Sequence, residues 1–301
     1  MKKKRYVVTG GCGFIGSHLV DLLIKNKHEV IIIDDLSTGS INNINKKAIF
    51  QKTNLRNIKK LNSLFKGCDG VFHFAALPRI QPSFDDPILH NQVNINNTLN
   101  ILQAMKNNNV KKIVYSSTSA CYGNPAEIPT TEKCSINLMN PYALQKFTSE
   151  QYVLILSKKY NINAISLRYF NVYGPRSFNP KNKLSAYSSV VGVFNYAKNN
   201  KLPIKITGNG KQKRDFVHVI DVARANYIAM NSKRFGEIYN IGTGKSISIK
   251  ELSYFFTNSP SFIKERSGEA DITCASIKKA KKELGWAPKI NLESAIKKGI
   301  V

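Results

Sequence analysis

The chain has 301 residues, 42% of them hydrophobic and 21% charged, the make-up of one large globular domain or two fused lobes, which excludes a disordered chain. No apolar run approaches the roughly 20 residues that cross a bilayer, and the basic start Met1 to Arg5 leads into only a few apolar residues before a glycine turn, so neither a membrane span nor a secretory leader is read and a cytoplasmic protein is expected. The formal net charge of +26 attracts polyanions, but its lysines lie in short scattered groups such as Lys2 to Lys4, Lys111-Lys112 and Lys278-Lys279, which argues against a nucleic-acid site and for a general field that draws in a diphosphate.

Along the first half, short β-branched runs alternate with helical patterns. Strands are predicted over 5–9, 30–34, 70–74, 112–116 and 164–168, nearly continuous in apolar character as buried parallel strands are. Helices are predicted over 14–26, 87–107 and 141–160. The β-α-β alternation implies a doubly wound α/β sheet of Rossmann type. In the second half, 174–184 reads as a loop, 191–200 and 219–231 as helices, and short strands flank Lys205 and Tyr239. Helical patterns return at 277–284 and 292–298. A Rossmann domain is expected over 1–168, with 215–245 returning to it. A smaller α/β substrate lobe is expected over 169–214 and 246–301. Cys12, Cys68, Cys121, Cys134 and Cys274 form no CxxC pair, which excludes a disulfide scaffold and a zinc centre, and no metal is expected.

Chemistry begins at Thr9-Gly10-Gly11-Cys12-Gly13-Phe14-Ile15-Gly16, between the first strand and first helix. Glycines at 10, 13 and 16 permit a tight turn and close approach of backbone amides to a pyrophosphate. The second strand ends in Asp34, whose carboxylate suits a ribose and repels a 2′-phosphate, so NAD is preferred to NADP. Tyr142 and Lys146 stand four residues apart, on one face of a helix that Asn140 caps and Pro141 opens. A phenol that serves as a base near neutrality must fall about 3 pKa units, about 4 kcal/mol, and a nearby ammonium supplies much of that. Ser116-Ser117-Thr118 ends the preceding strand on the ligand side and can hold the same substrate oxygen.

These segments, with Asp34-Asp35-Leu36-Ser37-Thr38-Gly39, His73-Phe74-Ala75-Ala76, Leu167 to Pro175, Arg214-Asp215-Phe216-Val217-His218 and Leu284-Gly285-Trp286, resemble the extended short-chain dehydrogenase/reductase family, and within it the nucleotide-sugar 4-epimerases acting on UDP-glucose or UDP-N-acetylglucosamine. The resemblance runs over residues 6–295. It implies Thr118, Tyr142 and Lys146 as the catalytic set. It implies an NAD groove of Gly10, Gly13, Phe14, Ile15, Gly16, Asp34, Asp35, Asn54, Leu55, Ala75, Ala76, Asn94, Ser116, Tyr142, Lys146 and Tyr169. It implies a UDP-sugar site of Thr118, Asn171, Arg214, Arg266, Glu269 and Thr273, and a homodimer built on the helices at 87–107 and 141–160. The chain departs from the family pattern at Asn54, where Asp is usual, at Asn97, where Gly is typical, and at Glu269, where Asp is common.

The implied reaction takes a C4 hydride from the sugar to NAD, turns the 4-keto sugar over and returns the hydride. Ser119-Ala120 follow Thr118 where dehydratases carry Asp-Glu, which argues against dehydration. Arg79 keeps open a UDP-glucuronate 4-epimerase or decarboxylase. Thr273 stands at a gate that is a bulky Tyr in members restricted to glucose and galactose, which favours N-acetylated hexosamines. A reading of another class is a non-catalytic NAD-binding or RNA-binding protein on the same fold.

Overall fold

A computed structural model of the chain describes residues 2–178, 189–257 and 259–301. The first half runs β1 (Arg5–Thr9), α1 (Phe14–Lys25), β2 (Glu29–Asp34), β3 (Ile49–Lys52), α2 (Ile58–Leu64), β4 (Gly70–His73), α3 (Ile80–Asp85), α4 (Pro87–Asn91), α5 (Asn97–Asn107), β5 (Lys112–Thr118), α6 (Pro141–Tyr160) and β6 (Asn163–Tyr169). The second half runs β7 (Asn171–Tyr173), α7 (Val190–Asn199), β8 (Lys205–Thr207), β9 (Lys213–Arg214), β10 (Phe216–His218), α8 (Val219–Asn231), β11 (Glu237–Ile241), β12 (Ile247–Ser248), α9 (Ile249–Ser253), β13 (Ser261–Ile263) and α10 (Leu292–Lys297).

Seven strands form one parallel sheet in the order β11-β6-β5-β4-β1-β2-β3. Period-two alternation sends neighbouring residues to opposite layers. Val8, Ile32, Phe72 and Val114 pack with Leu19 and Leu23 of α1 and Val222 and Ala225 of α8. Val7, Ile31, Val71 and Ile113 pack with Leu61 of α2, Ile101 and Met105 of α5, and Val153 of α6. Both faces are therefore covered, which is why these strands read as unbroken apolar runs. The strand order reverses between β1 and β4, and the crevice beyond their carboxyl ends is where such sheets bind ligands.

A third core gathers Val191 and Phe194 of α7 with Ile204, Ile206, Phe216, Ile249, Leu252 and Phe256. Three two-stranded ribbons, β7 with β10, β9 with β12 and β8 with β13, frame it. The tail is pinned beneath. Trp286 is fully buried and its indole N–H donates to the Asp221 carbonyl at 3.0 Å, while the Asp221 carboxylate accepts from the Lys289 and Ile290 amides.

The helix expected over 87–107 is continuous but not regular. A π turn over Gln92–Asn96 separates α4 from α5. The extra residue turns Asn94 inward, where its Oδ1 accepts from the Leu77 amide at 2.8 Å and its Nδ2 donates to Gln145 Oε1 at 3.0 Å. The Asn94 carbonyl accepts from Ser149 and Thr98, so side chains take up the acceptor that the widened turn frees. The helix expected over 277–284 is present over 278–284, its last part wound as a π turn over Ala280–Leu284 and ended by Gly285 at φ +63°. β3 was not anticipated: its residues are exposed or half-buried at the sheet edge. Of the loop expected over 174–184, residues 179–184 lie outside the described residues.

Candidate active site

The turn after β1 is made of glycines because nothing larger fits. Gly10 sits at φ +68°, and a Cβ there would lie 2.7 Å from the Ala75 amide nitrogen. A Cβ on Gly16 would overlap the Gly10 carbonyl. Gly13 precedes α1 with no side-chain hydrogen bond capping the helix start, the kind of helix end that suits a pyrophosphate. At the end of β2 the Asp34 carboxylate is held by the Cys12 and Leu36 amides at 2.9 and 2.8 Å. Burial raises its pKa and those two amides oppose the rise.

The crevice continues across the sheet as one cleft of about 890 Å³. Ser116 and Thr118 at the end of β5, Tyr169 of β6, and Tyr142 and Lys146 of α6 line its middle. Asn140 caps α6, accepting from the Ala143 amide at 2.8 Å with Pro141 in the first turn, as the Asn-Pro pair predicted. The Tyr142 amide is taken by Ser83 Oγ at 3.1 Å, which orients the helix start. The Thr118 hydroxyl accepts from the Ala120 amide at 3.1 Å and opposes the rise in the Tyr142 pKa that burial causes. The Lys146 ammonium lies 4.3 Å from the centre of the Tyr115 ring, with only 3% of the residue exposed.

At the far end, strands remote in sequence meet. Thr273 Oγ1 donates to Asn171 Oδ1 at 3.3 Å. Arg214, 8% exposed, approaches Glu269 Oε2 at 3.4 Å and donates to the carbonyls of Lys213 and Asp271. Burial lowers its pKa and Glu269 opposes that. Arg266 is exposed at the rim of the same cleft. The family profile described as NAD dependent epimerase/dehydratase matches residues 6–242, most of the chain.

The chain belongs to this family.

A Methanocaldococcus jannaschii protein provisionally named a UDP-glucose 4-epimerase is 42% identical over 303 residues, covering 97% of this chain and 96% of that one. The UDP-glucose 4-epimerase of Thermotoga maritima, solved with UDP-glucose, superposes with a TM-score of 0.92 at 33% identity, over 97% of this chain and 96% of that one. The UDP-N-acetylglucosamine 4-epimerase of Methanobrevibacter ruminantium, solved with UDP-N-acetylmuramic acid, also reaches 0.92, at 35% identity over 100% and 98%.

The residues of this epimerase/dehydratase family member fit NAD. Its glycine turn packs too closely on the Ala75 and Gly10 backbone for a Cβ at positions 10 and 16, and a carboxylate stands where a ribose follows a pyrophosphate. Phe14, Ile15, Asp35, Leu55, Ala75 and Ala76 line the same arm of the cleft. Two residues expected on NAD do not line it. The Asn54 amide donates to Asp35 Oδ2 at 3.0 Å, in the loop after β2, and its oxygen accepts from the Arg56 amide at 2.9 Å. Asn94, 1% exposed, braces Leu77 and Gln145 behind the wall. The uridine-ribose contact expected of Glu269 meets a competitor, since that carboxylate faces Arg214.

The expected acidic phenol is also corrected. Burial pushes the Tyr142 phenol up to about 12, against the Thr118 hydroxyl, and pushes Lys146 down to about 7, against the Glu150 carboxylate. Tyr142 keeps an edge open to the cleft, so the rise comes from the surrounding wall.

Sequence reasoning named His73 within a motif but gave it no role. Thr98 spends its proton on the Asn94 carbonyl at 2.8 Å, so the His73 Nε2–H donates to Thr98 Oγ1 at 2.9 Å and Nδ1 accepts from Thr9 at 2.7 Å. The imidazole thus ties the start of the glycine turn to α5. Its signal was a lone polar residue closing an apolar strand.

Proposed function

We propose that the chain interconverts UDP-hexoses at C4, with NAD as a resident cofactor. The observation that carries this is the convergence of Thr118, Tyr142 and Lys146 on one cleft, with Lys146 one helical turn from Tyr142. Tyr142, as phenolate, takes the proton of the sugar 4-hydroxyl, Thr118 holds the same oxygen, and Tyr142 returns the proton at the end. When bound, NAD supplies a positively charged hydride acceptor beside C4, which oxidises the sugar transiently to a 4-ketone and restores it on the other face. Gly10, Gly13, Gly16 and Asp34 hold its pyrophosphate and ribose. Asn171, Arg214 and Arg266 grip the UDP, where guanidinium forks suit phosphate oxygens.

Thr273, small and half-buried beside Asn171, leaves room for a 2-acetamido group, and UDP-N-acetylglucosamine is a substrate alongside UDP-glucose in this reading. A hexuronate is the second reading. Arg79 is exposed and lines the cleft, and among the described residues it forms no ion pair.

In this reading 1–168 with 215–245 binds NAD, while 169–214 and 246–301 bind the nucleotide sugar. The enzyme works as a homodimer. Ile88 and Leu89 of α4 and Leu144, Tyr152 and Ile155 of α6 form an exposed apolar stripe of the kind a second copy covers. It resides in the cytoplasm, where its five free thiols stay reduced.

The test is a panel of UDP-glucose, UDP-galactose, UDP-N-acetylglucosamine and UDP-glucuronate with wild type and Tyr142→Phe. Wild type epimerises the first three, and the variant keeps NAD while losing at least about 100-fold in turnover. Unchanged turnover in Tyr142→Phe ends the proposal, and turnover of UDP-glucuronate alone moves it to the second reading.

A further inference from the structure

After β13 the chain runs exposed through Lys264, Glu265 and Arg266, turns at Ser267-Gly268 and lines the cleft at Glu269. So open a loop has little packing of its own to fix it. Side chains from α3 and from the start of α6 hold its turn instead. Gln81 of α3 donates to the Ser267 carbonyl at 2.8 Å, and Asn140 donates through Nδ2 to the Gly268 carbonyl at 2.9 Å. Gly268 sits at φ +76°, and a Cβ there would lie 3.0 Å from the Phe84 ring, so the turn rests directly on α3.

The same Asn140 is joined to the helix of Tyr142. Its Oδ1 accepts from the Ala143 amide at 2.8 Å and its backbone carbonyl accepts from the Leu144 amide at 3.2 Å. These two bonds close the first turn of α6, which carries Tyr142. The residue is 7% exposed and lines the cleft. Its neighbours fix which way the amide faces, because the Ala143 N–H needs an oxygen on one side and the Gly268 carbonyl needs a donor on the other. A helix cap alone asks only for an acceptor, which Ser or Asp supplies as well as Asn does. Among the preferred caps, Asn alone presents an acceptor and a donor on separate atoms.

We infer that Asn140 is a positioning residue for the nucleotide sugar, holding the loop of Arg266 and Glu269 against the start of the helix that bears Tyr142. This role rests on the reading of that loop as part of the UDP site. It gives the two ends of one side chain separate effects. Nδ2 orders the loop before UDP arrives and so acts on affinity, since a loop already in place costs less to bind. Oδ1 orders the first helical turn and so acts on turnover, since proton transfer needs Tyr142 at a fixed place.

The test separates the two ends. Asn140→Ser keeps a neutral cap and is too short to reach the Gly268 carbonyl, while Asn140→Ala removes both bonds. The dissociation constant of UDP is measured by calorimetry on the full chain with NAD present, and kcat is measured with UDP-glucose. In Asn140→Ser, UDP binds about three- to ten-fold more weakly while kcat stays within about two-fold of wild type. Asn140→Ala weakens UDP to the same degree and lowers kcat by about three-fold or more beyond Asn140→Ser. Gln81→Met frees the same turn from α3 without touching the cap, and it too weakens UDP at unchanged kcat. It carries the test if the Asn140 variants lose their circular dichroism. UDP affinity within about two-fold of wild type in Asn140→Ser, or in Gln81→Met where that variant decides, overturns the proposal. A kcat that falls equally in Asn140→Ser and Asn140→Ala overturns it as well. A wild type that binds UDP but turns over no UDP-sugar removes the epimerase reading and leaves the UDP comparison standing. A wild type that binds no UDP removes both.

Discussion

Beneath the catalytic helix, Arg168 and Glu150 form a two-point ion pair, Nε to Oε2 at 3.0 Å and Nη2 to Oε1 at 2.6 Å, with side chains 3% and 0% exposed. The remaining guanidinium edge donates to Tyr122 at 2.8 Å, and Tyr122 passes its own proton to Asn240. Glu150→Gln keeps the shape and removes the charge, leaving a buried cation with a phenol and an amide for company. Breaking one side of such a pair costs about 3–5 kcal/mol. For a chain of this size that is a fall in Tm on the order of 10 °C. Replacing both partners, Glu150→Gln with Arg168→Met, removes the orphaned charge and recovers much of the loss, because a buried pair often gains nothing over apolar groups of similar volume. Urea unfolding of the four proteins without nucleotide, followed by circular dichroism, gives the coupling energy directly. A single variant within about 1 kcal/mol of wild type, or a double variant that loses the sum of both singles, would refute the reasoning.

Three further outcomes follow from the site. Burial pushes His73 down to about 3 from an ordinary 6.5, so the unfolded chain binds its proton first and stability drains away as pH falls from 6.5 to 3, by up to about 5 kcal/mol. His73→Gln flattens that part of the stability-pH curve, and an unchanged slope in urea titrations rejects the assignment. Lys146 is held down to about 7 against 10.5, so its burial penalty is complete below pH 7 and fades as pH rises from 7 towards 10.5. Lys146→Met therefore gains a few kcal/mol at pH 6 and little at pH 10, and a pH-independent change in Tm speaks against it. Thr273→Tyr fills the space beside Asn171 and lowers kcat/KM for UDP-N-acetylglucosamine about ten-fold or more relative to UDP-glucose. Equal losses on both substrates in coupled assays would show that the position does not select.

The sheet was legible because its physics is local. β1, β2, β4, β5 and β6 are buried on both faces, and such strands announce themselves as apolar runs. Asn140-Pro141 announces a helix start through capping alone. β3 was not legible, because Ile49–Lys52 is an edge strand whose pairing with β2 supplies what its own composition does not. The π turn between α4 and α5 was hidden for a similar reason. Asn94 is turned inward by Leu77, Gln145 and Ser149, partners 17 to 55 residues away, and no helical period encodes that. At the site, residue types at fixed spacing named Thr118, Tyr142 and Lys146, since a phenol and an ammonium four apart share a helix face wherever they occur. Their protonation did not follow from spacing. The sequence argument weighed one cation against one phenol, whereas the folded wall desolvates both and moves them in opposite directions, to about 12 and about 7. The attraction between the two charges depends on distance along one helix. The penalty that outweighs it depends on every element that closes over them, from Tyr115 on β5 to Ser83 on α3, and is set only when the chain has folded.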